Sequence, residues 1–249
     1  MENRKDKNTI EYFGASVCGP SNKFKKKLKE DAWLGVRRSW GHLIVACDGM
    51  GSKKNAREGA IEACYAVRDA LQFWQAYNAP PEFLFETIHL LWRHRIFPLE
   101  PQNCATTCLF AFLNNNNEVM IAQLGDGVCV IRDKNGSVEL LDGDKLGFTN
   151  TTTGLGIPKS IERWKYSSFK EFVEGSAVLL ATDGVSEDVE NSRLGDMTFD
   201  IISEYSSMSP RKRWEALCDE LRNWATPHHL DDKTITLMWA EPFHTGVAE

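Results

Sequence analysis

The chain switches between two hydrophobic periods. Residues 11–18 (EYFGASVC), 32–37 and 42–47 are short and rich in β-branched or aromatic residues, which predicts strands. From Asn55 the period lengthens: Ala60, Cys64, Val67, Leu71 and Trp74 recur at helical spacing. Asn55 with Glu58 three residues on has the form of a capping box. Pro80-Pro81 breaks that run, and Leu84, Ile88, Leu91 and Arg95 mark one face of a second helix. Strand patterns return in CATTCLFAFLN (104–114), EVMIAQLG (118–125) and VCVIRD (128–133). Residues 114–117, all asparagine, and Lys134-Asn135-Gly136 are the hairpin signals among them. AVLLATD (177–183) predicts a buried strand, PRKRWEALCDELRNWA (210–225) an amphipathic helix with Pro210 near its start, and TITLMWA (234–240) a last strand. Strands, two helices, more strands, then a helix and a strand is not the alternation of a parallel sheet. The expectation is α+β, with antiparallel sheets covered by helices. No repeat or low-complexity linker divides the chain, so one domain is expected over 1–249, with its core at about 11–240.

Composition narrows the function. At 42% apolar residues over 249 positions, the chain can bury a large core. Its formal charge of −6 disfavours nucleic acid as the main partner. No apolar run is long enough to span a membrane, and the polar start MENRKDKNTIEY lacks the apolar segment of a secretory signal. Seven scattered cysteines are expected to be reduced thiols in a cytoplasmic protein. Cys104 and Cys108 lack a second pair to complete a zinc set. Asp142, Asp144 and Gly147 suggest a calcium loop, but no glutamate closes it.

The chemistry lies where apolar strands end on acids. IVACDG ends on Asp48, AQLGDG on Asp126 and LLATDG on Asp183, while Glu30-Asp31 and Asp231-Asp232 stand immediately before strands. Any one Asp-Gly pair is ordinarily a turn; five acidic strand ends are harder to assign to turns alone. If they converge, carboxylates at about 4 Å repel by roughly 4 kcal/mol each pair, so the cluster must take up protons or hold cations. Oxygen ligands without an adjacent Cys–His set favour Mg²⁺ or Mn²⁺. Gly49 would let the backbone bend so that its carbonyl faces such an ion.

With these elements in order, the sequence resembles the metal-dependent protein serine/threonine phosphatases, the PPM or PP2C-type family, in a compact bacterial-like form. KKKLKEDAW resembles the first family motif, VACDGMGS the Asp-Gly-x-Gly-Gly signature, and CATTCLFAFL the Gly-Thr-Thr-Ala strand. LGDGVCVIRD, TTTGLG, LLATDGVSEDV and DDKTITLM resemble four further motifs in the family's order. The resemblance implies an α-β-β-α sandwich with a two-metal site at one end of the sheets. By position, Asp48 would bridge two Mn²⁺ or Mg²⁺ ions, Glu30 and the Gly49 carbonyl would hold one, and Asp183 and Asp231 the other. Asp31 would orient water, and Asp126, Asp183 and Glu187 would line a weaker third position. It further implies hydrolysis of phosphoserine and phosphothreonine in protein substrates of a Ser/Thr kinase, by direct attack of a metal-bridging hydroxide and without a phospho-enzyme.

The chain departs from the family pattern in several places. Lys26 stands where the family has its phosphate-binding arginine, with Lys25 and Lys27 as alternates; lysine offers charge without a bidentate fork. Ser52 replaces the second signature glycine. Met50 stands where some members carry a proton-donating histidine, leaving His228 and His229 as candidates for that role. The stretch from Asp126 to Leu155 is short, so a reduced flap is expected. These departures keep two alternatives open, a non-catalytic binding or regulatory relative and a hydrolase of small phosphoesters. The retained acids at 30, 48, 183 and 231 weigh against the first.

Overall fold

The computed structural model describes residues 9–77, 79–142, 153–224 and 230–243. Five strands form one antiparallel sheet in the order β2 (Ala32–Arg38), β3 (Gly41–Cys47), β4 (Cys108–Asn114), β5 (Glu118–Leu124) and β8 (Lys165–Glu171). Five more form a second in the order β1 (Thr9–Val17), β10 (Lys233–Glu241), β9 (Ala177–Ala181), β6 (Val128–Arg132) and β7 (Val138–Asp142).

The strands have near-continuous apolar sequences because most are covered on both faces. Between the sheets, Ile44, Ala46, Leu109 and Ile121 meet Ile131, Val178, Leu180 and Met238 in a closed layer. The outer face of the first sheet is covered by α2 (Ala56–Tyr77) and α3 (Pro81–Ile96), through Val67, Leu71, Trp74, Ile88 and Trp92. The outer face of the second is covered by α5 (Leu194–Tyr205) and α6 (Pro210–Arg222), through Ile202, Leu217 and Leu221. This is the expected α-β-β-α sandwich. Two short helices, α1 (Pro20–Phe24) and α4 (Asp183–Ser186), lie at one end of it.

The helical period from Ala60 to Trp74 buries all five of its marked positions. On α3 the buried side is Leu84, Phe85, Ile88, Trp92 and Ile96, while Arg95 turns to ion pairs with Glu62 and Asp69 of α2. Residues 101–104 form a 3-10 turn, so the strand expected from Cys104 begins instead at Cys108. Both hairpin signals hold: Asn117 and Gly136 adopt positive φ, and the Asn114 side chain accepts bonds from the Asn116 and Glu118 amides. From Asp126 to Leu155 the described residues form only the β6–β7 hairpin; Asp144 and Gly147 lie outside them. The described cysteines are all free, and no described helix is long and apolar enough to cross a membrane.

Candidate metal centre

Strand register brings the acids to one edge. Ala32 pairs with Cys47, so Asp31 and Asp48 leave β2 and β3 side by side. Val128 pairs with Ala181, which places the Asp126 turn beside the strand leading to Asp183. Val17 pairs with Lys233 at the same end, where Asp231 and Asp232 enter β10. Carboxylate oxygens of Asp48, Asp126 and Asp183 lie within 4.8 Å of one another. Asp31 adjoins Asp48, and each carboxyl perturbs the other.

The first consequence is electrostatic. Asp48 is held well above the usual carboxylate range, by burial first and then by the charges of Asp31, Asp183 and Asp231. Burial likewise pushes Asp31 up to about 6, against hydrogen bonds that favour its charged form. Asp31 Oδ2 accepts from Thr182 Oγ1 at 2.9 Å and Thr234 Oγ1 at 2.6 Å. Asp31 Oδ1 is buried and receives no bond from an N–H or hydroxyl among the described residues; its neighbour is the Asp48 carboxyl. An orphaned carboxylate oxygen facing further carboxylates calls for a proton or a cation. An all-oxygen donor set of this kind fits a hard divalent ion.

Asp48 itself is held by backbone. Its N–H donates to Thr107 Oγ1 at 2.9 Å, and its carbonyl accepts from Thr106 Oγ1 and from the Thr107 N–H, both at 2.8 Å. Gly49 forms a bridge with Thr106, which in turn bridges Leu155. The backbone at Gly49 is not left-handed, so a special bend does not explain the glycine. Space does: a Cβ there would meet Ala56 O at 2.5 Å and Glu30 O at 2.8 Å.

Glu30 is buried at the cluster's edge, which raises its pKa. Asp232, which sequence motifs left without a role, fixes it there. Asp232 is 2% exposed; its Oδ1 accepts from the Gly19 N–H at 2.7 Å and its Oδ2 from Asn22 Nδ2 at 3.1 Å and from the Glu30 N–H. Asp231 is exposed and sits outside the three-carboxylate group, although its charge reaches Asp48. Glu187 follows α4, exposed, with its N–H on the Asp183 carbonyl, and is likewise outside that group.

Of the three candidate lysines, Lys27 reaches the site. Its Nζ lies 3.5 Å from Glu30 Oε1 and 3.4 Å from the Gly51 carbonyl. Lys26 is exposed in a left-handed conformation, and its N–H bonds the Lys23 carbonyl. Spacing to Glu30 pointed to Lys26; the described contacts to Glu30 and Gly51 are made by the next lysine. Met50 packs toward Gly154, and His228 and His229 lie outside the described residues.

The family model for Protein phosphatase 2C matches residues 18–224. A search of curated protein sequences returned no match. Among solved structures, the photosystem II phosphatase PBCP aligns with a TM-score of 0.67 at 15% identity, over 94% of this chain and 99% of that one. The PPM Ser-Thr phosphatase MsPP from Mycobacterium smegmatis, solved with cacodylate, aligns at 0.62 and 14% identity, over 94% and 100%. The catalytic domain of the serine threonine protein phosphatase PstP, solved with two manganese ions, aligns at 0.59 and 17% identity, over 92% and 97%.

Proposed function

The chain belongs to the protein phosphatase 2C family, and from that premise we propose that it is a metal-dependent protein phosphatase acting, as one catalytic unit, on phosphoserine and phosphothreonine. The observation that carries this reading is the convergence of Asp48, Asp126 and Asp183 within 4.8 Å, beside a buried Asp31 with an unpartnered oxygen. A chain that had lost catalysis would have no cause to keep this costly concentration of like charge.

On this reading Glu30, Asp48, the Gly49 carbonyl, Asp183 and Asp231 hold two ions, Mn²⁺ or Mg²⁺, and Asp126 and Glu187 serve a weaker third. Bound there, the ions supply positive charge against the phosphoryl oxygens and acidify a water at neutral pH. The protein's own groups do the rest. Asp31, fixed through Oδ2 by two threonine hydroxyls, offers Oδ1 to orient the attacking water and take its proton. Lys27 at the rim, with Lys26 beside it, supplies charge for the phosphoryl group as point cations. Met50 has no proton to give, so the leaving alkoxide is protonated by water. The substrates on this reading are phosphoproteins made by a Ser/Thr kinase; the names of MsPP, a Ser-Thr phosphatase, and PstP, a serine threonine protein phosphatase, support the residue type.

The test is turnover of a chromogenic phosphate ester with Mn²⁺, with and without chelator, repeated with Asp48→Asn. The expected result is metal-dependent hydrolysis that the substitution lowers by at least about a hundredfold. Absence of turnover with either metal, for the ester and for phosphopeptides alike, would leave a binding module as the better description.

A further inference from the structure

Residues 23–28, KFKKKL, lie between the anchors of the Glu30 loop and are built in a way the proposed chemistry does not require. Phe24 is 90% exposed and Leu28 72% exposed. The loop presenting them is not loose. Lys25 and Lys27 donate backbone bonds to Ser21 and Asn22, the Ser21 N–H bonds the Leu230 carbonyl, and Asp232 clamps the loop at Gly19, Asn22 and Glu30. A firmly held loop that shows two large apolar side chains to water marks a contact surface.

Its charge identifies the occupant. Lys23, Lys25 and Lys26 make no ion pair among the described residues, while Lys27 bridges to Glu30 and to the Gly51 carbonyl. That last contact joins the loop to the next one, which carries Lys53 and Lys54. A chain of formal charge −6 thus places a cationic and apolar rim beside its cluster of strand-end carboxylates. Lysines kept only to neutralise the carboxylates would be paired with them.

We propose that this rim is a docking surface for an acidic segment of the phosphoprotein substrate, carrying an apolar side chain a few residues from the phosphorylated one. The proposal rests on the phosphatase reading and adds to it a sequence preference. The apolar anchor seats against Phe24 and Leu28, and the acidic flanks face the lysines. This steers the substrate and sets its register before the phosphoryl group reaches Lys27. A substrate segment is a better occupant than an anionic bilayer, because Lys27 joins the rim directly to Glu30 and the Gly51 carbonyl, so that what docks there is placed beside the proposed site.

The experiment uses the full chain and two phosphoserine peptides, one with aspartates and a leucine in its flanks, the other with neutral polar flanks. The acidic peptide should show kcat/KM roughly tenfold higher, the combined effect of several weak exposed charge pairs. Salt should erode the difference. Phe24→Ser with Leu28→Ser, and separately Lys23→Glu with Lys54→Glu, should remove most of the preference and leave chromogenic ester turnover unchanged. Equal kcat/KM for the two peptides, or a preference that survives both double variants, overturns the proposal. Fluorescence anisotropy of the labelled acidic peptide in chelator reads docking without turnover. Binding lost in both double variants, in a protein that hydrolyses nothing, would sustain the surface and defeat the phosphatase reading. Phe24- and Leu28-dependent sedimentation with anionic phosphatidylglycerol vesicles, without peptide preference, would assign the rim to a membrane and overturn the proposal.

Discussion

Asp31 condenses the electrostatics of the site into one side chain. The folded protein holds its proton more tightly than the unfolded chain does, with the carboxyl raised from 3.8 to about 6 by burial. Between those values the folded state binds more protons, so the Asp31 contribution to metal-free stability is fully present below about 3.8 and is lost as pH rises through about 6. Urea midpoints in chelator across that range should show the decline, Asp31→Asn should lessen it while Asp48 keeps its own share, and Mn²⁺ should oppose it by replacing the proton. Asp232 gives a second test. Asp232→Ala strands three donors, at Gly19, Asn22 and Glu30, two of them backbone N–H groups. A loss of about 2–4 kcal/mol in chemical denaturation is expected, with weakened metal affinity because Glu30 is released. Asp232→Asn keeps one acceptor oxygen and should lose less. Asp48, Asp126 and Asp183 were legible because each ends an apolar run on Asp-Gly. The role of Asp232 was not: an acid beside another acid looks like a spare charge until the fold brings Gly19 and Glu30 to it.

The same contrast holds among the elements. Strands with continuous apolar runs, such as AVLLA in β9, and the long period of α2 are visible because burial dictates their composition. The edge strands β7 and β8, VELLD and KYSSFKE, have partner strands on one side only and mix charge with apolar residues, which hides them from a pattern search. The five-residue α1 holds no apolar period at all, and pairing of Asn22 with Asp232 helps set it in place. The segment preceding β4 shows how an element serves the site without touching substrate. Thr106 and Thr107 clasp the backbone of Asp48 from both sides. Thr107→Val keeps the shape and removes the acceptor of the Asp48 N–H. The expected cost is about 1–2 kcal/mol, together with a fall in Mn²⁺ affinity measured by calorimetry. Unchanged affinity would show that Asp48 needs no such support. Gly59→Ala should be harsher, because its Cβ would collide with the Cys104 carbonyl and force α2 away from the 3-10 turn leading into this segment.

For the whole molecule, two sheets and their register turn distant chain positions into one carboxylate cluster, and the layers behind it are closed apolar packing. Closed apolar layers hold the sandwich together, with the strain of like charges concentrated at the strand ends. A ligand that relieves the strain stabilises the fold. At one hundred times the dissociation constant, Mn²⁺ should add about 2.7 kcal/mol and raise Tm by roughly 5–10 °C, reversibly with chelator. Asp48→Asn should remove most of that increase while leaving the metal-free Tm equal or higher, because one repelling charge is gone. The most direct test of the central claim is anomalous diffraction from crystals grown in manganese. Paired peaks coordinated by Asp48, with Glu30 and the Gly49 carbonyl on one side and Asp183 and Asp231 on the other, are the predicted result. Ordered carboxylates at these positions with no manganese between them would contradict it.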